Sequence, residues 1–136
     1  MSDDLGAALR RVYVAAFNDR RLDALDELFD AAVVDRSVAK AEEQVGLEGF
    51  KQRIAGHHRG VSDLRMSIHE LVENDTSIAF RWSFTGTHDG PWLGRQPTGR
   101  SFTLNGMNLE RLDGGRVVEH FSFPDLLGLF RQLDAG

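Results

Sequence analysis

The chain has 136 residues, no cysteine, and a formal net charge of −5 from 16 Lys and Arg against 21 Asp and Glu. This length fits a single domain over residues 1–136, and the absence of cysteine excludes disulfides, thiolate metal sites and cysteine nucleophiles. The acidic balance argues against a nucleic-acid partner, while the acidic N-terminus and the lack of an apolar stretch of about 20 residues predict a soluble, cytoplasmic protein.

Helical spacing of apolar residues dominates the first third of the chain. SDDLGAALRRVYVAAFNDR, residues 2–20, has one apolar face and begins with capping side chains. RLDALDELFD, residues 21–30, repeats the pattern and predicts a second helix. VVDRS is a short β-branched strand, and AKAEEQ, residues 39–44, is predicted to be a loop. GLEGFKQRIAGHHRG predicts a third helix, in which His57 and His58 would favour the C-terminal dipole.

Alternation with a period of two replaces the helical pattern after Gly60. DLRMSIHELVEN, SIAFRWSFTGTH, SFTLNGMNLERL and RVVEHFSF predict four strands. The stretch DGPWLGRQPTGR is rich in Gly and Pro and predicts a loop. Within SFTLNGMNLERL the apolar residues change parity, which predicts a bulge at Asn105–Gly106. PDLLGLFRQLD predicts the closing helix, with Pro124 in its first turn.

This order of elements predicts an α+β fold. Helices followed by a run of hairpin-connected antiparallel strands are typical of that class rather than of a doubly wound sheet. We expect a strongly bent antiparallel sheet that wraps around the N-terminal helices as a cone, encloses an apolar pocket, and is followed by a C-terminal helix. Helices cannot cover the whole outer face of such a sheet, so we also expect a homodimer or a higher homo-oligomer.

Four stretches carry a resemblance to a known family: GLEGFKQRI, DLRMSIHELV, RWSFTGTHDGPWLGRQPTGR and NLERLDGGRVVEHFSFPDLLGLFRQL. From about Arg21 to Leu133, the chain resembles the SnoaL-like (ester cyclase-like) polyketide cyclases of the nuclear-transport-factor-2-like superfamily of cones. The resemblance implies ring closure by intramolecular aldol condensation of a hydrophobic, aromatic polyketide ester, without metal or cofactor. It also implies acid/base catalysis by an aspartate just before the last helix, which is the position of Asp125.

Asp125 has two physical interpretations. Walls formed by Phe121, Phe123 and Leu126 would desolvate the carboxylate and raise its pKa, which suits a proton shuttle at neutral pH. An aspartate at the start of a helix also caps free amides and stabilises the helix dipole without any chemistry. His88 is the second catalytic candidate, either as a group that polarises a carbonyl oxygen or as a hydrogen-bonded structural histidine.

The predicted substrate-binding residues are aromatic walls and polar groups of the expected pocket. Aromatic rings make directional contacts that suit a flat polyaromatic substrate. Arg36 would supply a cation for an anionic substrate, or would pair with Asp35. Asn105 and Asn108 would bind substrate oxygens, or would pair with each other at the bulge. The set comprises Tyr13, Phe17, Arg36, Trp82, Phe84, Trp92, Asn105, Asn108 and Phe121.

Two alternatives accompany the cyclase hypothesis. A ketosteroid-isomerase-like enzyme on the same cone would use Tyr13 as the oxyanion donor and Asp35 as the base. A protein that binds a small molecule without turnover is the other alternative, and an Asp125 that faces solvent and only caps its helix would favour it. No spacing of His, Asp and Glu in the sequence matches a metal-ligand set.

Overall fold

The computed structural model of the protein describes residues 4–37 and 44–134. The α-helices in these residues are α1 (Asp4–Phe17), α2 (Leu47–Gly60) and α3 (Leu126–Leu133), and a 3-10 helix spans Leu22–Glu27. The strands are β1 (Phe29–Asp35), β2 (Gln44–Val45), β3 (Arg65–Glu73), β4 (Ser77–Thr87), β5 (Ser101–Asp113) and β6 (Arg116–Pro124). They form one sheet in the order β2-β1-β6-β5-β4-β3, antiparallel except for the parallel pair β1 and β6. The predicted α+β class is confirmed.

The second predicted helix is a 3-10 helix rather than an α-helix. Leu22, Leu25 and Leu28 recur at every third residue, which matches the three residues per turn of a 3-10 helix. Leu25 and Leu28 are buried in the core, so this spacing directs their side chains towards the sheet and the long helices. None of the helices formed by the described residues is long and apolar enough to span a membrane.

Some predicted boundaries differ from the structure or lie beyond what it describes. The predicted caps at residues 2–4 and the predicted loop at residues 39–44 lie outside the described residues, apart from Asp4, which begins α1, and Gln44, which begins β2. Pro124 ends β6 instead of starting the last helix, because Asp125 occupies the N-cap position of α3.

The predicted bulge at Asn105–Gly106 is wrong. Strand β5 pairs with β4 without interruption from Ser101 to Arg111, and its residues alternate regularly between buried and exposed. Gly106 faces Trp82, and a Cβ at this position would lie only 2.2 Å from Cζ2 of the indole ring. The glycine therefore provides room for Trp82 on the inner face, and the apolar Met107 lies on the outer face.

Aromatic contacts hold the two long helices against the inner face of the sheet. Tyr13 of α1 meets Phe80 of β4 edge-on, with 5.3 Å between ring centroids. Phe50 of α2 stacks on Phe29 of β1 at 5.2 Å. These contacts are worth roughly 0.5–1.5 kcal/mol each beyond the area they bury. They place the helices so that a cavity lies between them and the sheet.

The outer face of the sheet has exposed apolar side chains. Met107 and Phe123 are register partners in the β5–β6 ladder, and they are 54% and 52% exposed. The homo-oligomer stays a prediction, and analytical ultracentrifugation would measure the assembly state.

Candidate active site

A cavity of about 70 Å³ lies between α1, α2, the start of α3 and the inner face of the sheet. Most of its wall is apolar, with Phe17, Phe50, Phe84 and Leu104 among the lining residues. Eight further lining residues carry polar atoms: Tyr13, Arg53, His57, Trp82, Trp92, Asn108, His120 and Ser122. An apolar cavity with a few convergent polar groups is the usual form of a small-molecule site.

A buried carboxylate–histidine pair lies at this cavity. Glu110 and His120 are register partners in the β5–β6 ladder, and they are 0% and 4% exposed. His120 Nδ1 lies 2.8 and 3.0 Å from the two carboxylate oxygens of Glu110. Nδ1 donates its proton, since an ionised carboxylate can only accept. Within the described residues Nε2 has no hydrogen-bond partner, so this second ring nitrogen of a cavity-lining residue is available for chemistry.

Tyr13 of α1 also contacts the carboxylate of Glu110. Its hydroxyl donates a hydrogen bond to Oε2 of Glu110. Burial raises the pKa of Tyr13 well above its usual value, and the charge of Glu110 raises it further. Tyr13 is therefore a neutral donor at physiological pH that helps to orient Glu110.

A second buried carboxylate, Asp35, neighbours the pair through the parallel ladder of β1 and β6. Asp35 is the register partner of His120 and is 2% exposed. It pairs with Arg53 of α2 and accepts hydrogen bonds from the N–H and the hydroxyl of Ser37 at 3.1 and 2.6 Å. Burial acts to raise the pKa of Asp35, but the positive charge that His120 carries when it is protonated, together with these contacts, outweighs burial and lowers the pKa. Asp35 is thus a charged carboxylate that balances the cavity cation Arg53.

His57 reaches the cavity from the last turn of α2. Trp92 Nε1 donates a hydrogen bond to His57 Nδ1 at 3.0 Å, so the proton of the neutral ring must be on Nε2. Burial lowers the pKa of His57 to about 3, and the positive charge of Arg53 and the neighbouring His58 lower it as well. His57 is therefore a neutral N–H donor and does not serve the helix dipole as predicted. His58 instead contacts the carbonyl oxygen of Phe17 through Nε2 at 2.8 Å.

Asn108 of β5, which lines the same cavity, is held in a similar way. Trp82 Nε1 donates to Asn108 Oδ1 at 2.7 Å, and an indole N–H can only donate. This contact assigns the amide orientation, because the oxygen must face the indole and the NH2 group must face away from it. Asn108 is 6% exposed and lines the cavity beside Tyr13.

Six of the predicted substrate-binding residues are brought together at this cavity. They come from α1, β4, β5 and the loop after β4, and their binding of a substrate stays a prediction. They are Tyr13, Phe17, Trp82, Phe84, Trp92 and Asn108.

Three predicted binding residues lie outside the cavity lining. Arg36 Nε lies 2.7 Å from Oε2 of Glu119, and the Lys or Arg that lines the cavity among the described residues is Arg53. Asn105 is exposed because the strand continues without a bulge and alternates regularly, with its neighbours Leu104 and Gly106 buried. Phe121 follows His120, and adjacent residues of a strand point to opposite faces. Both Asn105 and Phe121 thus belong to the outer face.

The predicted burial of Asp125 is wrong. Asp125 is exposed, and its Oδ1 accepts a hydrogen bond at 3.0 Å from the backbone N–H of Gly128 as the N-cap of α3. Its neighbours Pro124 and Leu126 line the cavity, whereas Asp125 lies at a shallow outer depression beside Asn105. The alternative interpretation, a helix cap, is confirmed, and the geometry gives the carboxylate no contact with the cavity.

His88 also lies outside the cavity lining. It is wholly buried, and its Nδ1 accepts a hydrogen bond from the backbone N–H of Thr98 at 3.3 Å. Its Nε2 is buried without a hydrogen-bond partner in the described part of the chain. The ring lies 6.0 Å from that of Trp92, so His88 supports the loop that presents Trp92 to the cavity.

Sequence reasoning missed Glu110, His120, Arg53 and His57. The spacing of Phe50, Ile54 and His57 does indicate one helix face, which was a usable signal. Glu110 was missed because the erroneous bulge reversed its parity. Among residues 4–37 and 44–134, no three His, Asp or Glu side chains are grouped closely enough to hold a metal ion.

Comparison with known proteins agrees with this fold. The chain is 26% identical over 121 residues to the nogalonic acid methyl ester cyclase of Streptomyces nogalater, covering 88% of this chain and 90% of that protein. The structure of TsrD from Streptomyces laurentii superposes with a TM-score of 0.85 at 27% identity, over 96% of this chain and 97% of that one. An NTF2-like protein of Burkholderia pseudomallei has a TM-score of 0.77 at 19% identity, over 97% and 98% of the two chains, and shows the fold alone.

These likenesses show an NTF2-like α+β fold. The sequence profile described as SnoaL-like polyketide cyclase matches residues 7–133, and the chain belongs to that family.

Proposed function

We propose that the protein is a cyclase that closes a ring on an ester-bearing aromatic polyketide by intramolecular aldol chemistry without a cofactor. The observation that carries this proposal is the buried Glu110–His120 pair at an apolar cavity. Membership of the family and the likeness to a polyketide methyl ester cyclase support the substrate class.

His120 replaces Asp125 as the proposed acid/base. Nε2 of His120 takes a proton from the carbon next to a carbonyl, and Glu110 stabilises the imidazolium that forms. The resulting enolate carbon attacks a second carbonyl carbon of the same molecule and forms the new C–C bond. The alkoxide left on that carbonyl oxygen takes the proton back from His120, so no proton is gained or lost overall.

Two observations bear on the alternative functions. The exposed Asp125 is the feature that favours a binding protein without turnover, and this remains the second candidate. The isomerase-like alternative has less support, because Tyr13 is engaged by Glu110 and Asp35 by Arg53. The lowered pKa of Asp35 makes it a weaker base than an ordinary aspartate.

The test uses nogalonic acid methyl ester as the probe, with cyclised product measured by chromatography. His120→Gln, with the fold checked by circular dichroism, should lose at least about 10²-fold in kcat, whereas the matched control Asp125→Asn should retain turnover. Turnover that survives in His120→Gln and disappears in Asp125→Asn would reverse the assignment. Wild-type binding by tryptophan fluorescence without any product would favour the binding protein instead.

A further inference from the structure

We propose that His57 and Asn108 form an oxyanion-binding site in the cavity, which takes an enolate or phenolate oxygen of the ligand. Two tryptophans, Trp92 and Trp82, act as positioning residues that fix these side chains as donors. The choice of an enolate rests on the proposed function, whereas the donor character rests on the contacts alone.

The hydrogen bonds of the two indoles decide which atoms of His57 and Asn108 can donate to a ligand. Imidazole and carboxamide side chains can each donate and accept, so their roles depend on their partners. An indole N–H only donates, and each of the two indoles in the chain points its N–H at an acceptor atom of one of these side chains. The distances are 3.0 Å from Trp92 Nε1 to His57 Nδ1 and 2.7 Å from Trp82 Nε1 to Asn108 Oδ1. What remains for a ligand is Nε2–H of His57 and the N–H of Asn108 that its side-chain hydrogen bond to Tyr13 does not use.

Trp92 is held in place by a tight turn and by close packing against α2. Trp92 and Arg95 bond each other's backbone across a two-residue turn, in which Leu93 and Gly94 both have positive φ, at 51° and 76°. This is the pattern of a tight hairpin turn. The turn packs against the end of α2, where a Cβ on Gly60 would lie 2.4 Å from Cβ of Trp92. Glycine at position 60 therefore permits the contact through which Trp92 reaches His57.

Trp82 is held by an equally close fit. Its ring lies over Gly106 and packs against Phe84 with 4.6 Å between ring centroids. Preorganised donors of this kind need no rearrangement when charge develops on the ligand, which is why they favour a transition state over a substrate.

The charges around the cavity are compatible with two neutral donors and an anionic oxygen. His57 remains neutral, so it donates a hydrogen bond without giving up its proton and does not compete with His120 for the role of acid. Arg53 lines the same cavity and adds positive potential, which Asp35 partly offsets. Among the other groups at the cavity, Glu110 is engaged by Tyr13 and His120, so its charge is not presented directly to the ligand.

These features together match the needs of enolate chemistry. When His120 removes a proton from carbon, negative charge moves to the adjacent carbonyl oxygen. Two neutral donors in a mostly apolar cavity stabilise that oxygen, and the proton on each donor stays where it is. Loss of one such donor is expected to lower kcat on the order of 10²-fold.

The test uses hydroxynaphthalenes of graded acidity as probes, because their ionised oxygen resembles an enolate and their absorption reports ionisation. The wild type should bind them more tightly as their acidity increases, and should hold them as naphtholates. His57→Phe should lose this preference on the order of 10-fold or more while still binding the neutral ring. His69→Phe, at an exposed histidine of β3, is the matched control and should behave as the wild type.

A second readout separates a positioning role from a merely structural one. Nitrogen-15 NMR of the wild type should show His57 with its proton on Nε2 between about pH 5 and 8. Trp92→Phe keeps the wall but removes the N–H, and should produce a mixture of tautomers with a weakened naphtholate preference.

A proton on Nδ1 in the wild type would overturn the proposal, as would an unchanged preference in His57→Phe or a failure of the wild type to bind any naphtholate. Absence of turnover with nogalonic acid methyl ester would leave naphtholate binding intact, so it would count only against the proposed function.

Discussion

Acid should destabilise the protein through His57 in a defined pH window. The folded protein keeps this ring neutral down to a pKa of about 3, whereas the unfolded chain binds a proton near the usual value of 6.5. Above pH 6.5 both states are neutral, so the residue contributes no pH dependence. As the pH falls from 6.5 towards 3, the unfolded state binds the additional proton and the free energy of unfolding decreases.

The magnitude follows from the linkage relation. Each pH unit within this window removes about 1.36 kcal/mol of stability. Between pH 6.5 and 5, the contribution of His57 is therefore a loss of about 2 kcal/mol, which is a large part of the stability of a small domain. His58, whose pKa is also lowered, mainly by burial, acts in the same direction and must be separated by comparison.

The assay is urea unfolding of the wild type and His57→Gln at pH 7 and pH 5, followed by tryptophan fluorescence. The wild type should lose about 2 kcal/mol more than the variant over this interval, because His58 is common to both proteins. His69→Gln serves as the control for replacing a histidine at an exposed position. Equal losses in the wild type and His57→Gln would refute the idea that the cavity holds a neutral His57.

Two further predictions concern the cavity wall and the helix cap. Gly106→Ala should destabilise the protein by about 1–3 kcal/mol, since the new Cβ would overlap the ring of Trp82. Gly56→Ala is its control, because the new Cβ would meet only a side-chain nitrogen at 3.5 Å. Gly56 lies within a helix, where alanine is expected to raise the free energy of unfolding by about 0.5–1 kcal/mol. Similar unfolding midpoints for the two variants would contradict the packing argument. Asp125→Ala should lose about 1 kcal/mol by the same assay, and Asp125→Ser should restore most of it, since both native Asp and Ser cap helices well. A drop in turnover with nogalonic acid methyl ester in Asp125→Ser would show that the carboxylate does more than cap α3.

Local patterns in the sequence are enough to predict the class of fold and much of the apolar wall. Helical spacing places Tyr13 and Phe17 on one face of α1, and strict alternation places Trp82 and Phe84 on the inner face of β4. The apolar pattern within each helix or strand is enough to show which of its faces will be buried, because burial of apolar surface is favourable for every element. The residues on those buried faces line the cavity. The cap at Asp125 is equally local, since it depends only on the three residues that follow.

The polar part of the site depends on contacts between distant segments. A buried charge is costly unless it is paired. From the sequence alone, Glu110 would therefore be predicted to lie on the surface, because its partners are not apparent there. Those partners are Tyr13, 97 residues away on α1, and His120 across the hairpin. The donor state of His57 likewise depends on Trp92, 35 residues away.

Gly106 illustrates why strand register needs the tertiary structure. A glycine inside a strand is compatible with a bulge and with a close neighbour, and only the position of the Trp82 ring distinguishes them. With the bulge absent, Asn105 turns outwards and Glu110 turns inwards. The sequence thus specifies which residues are apolar and where helices and strands form, whereas the chemistry of the cavity arises from side chains that meet only when those elements pack.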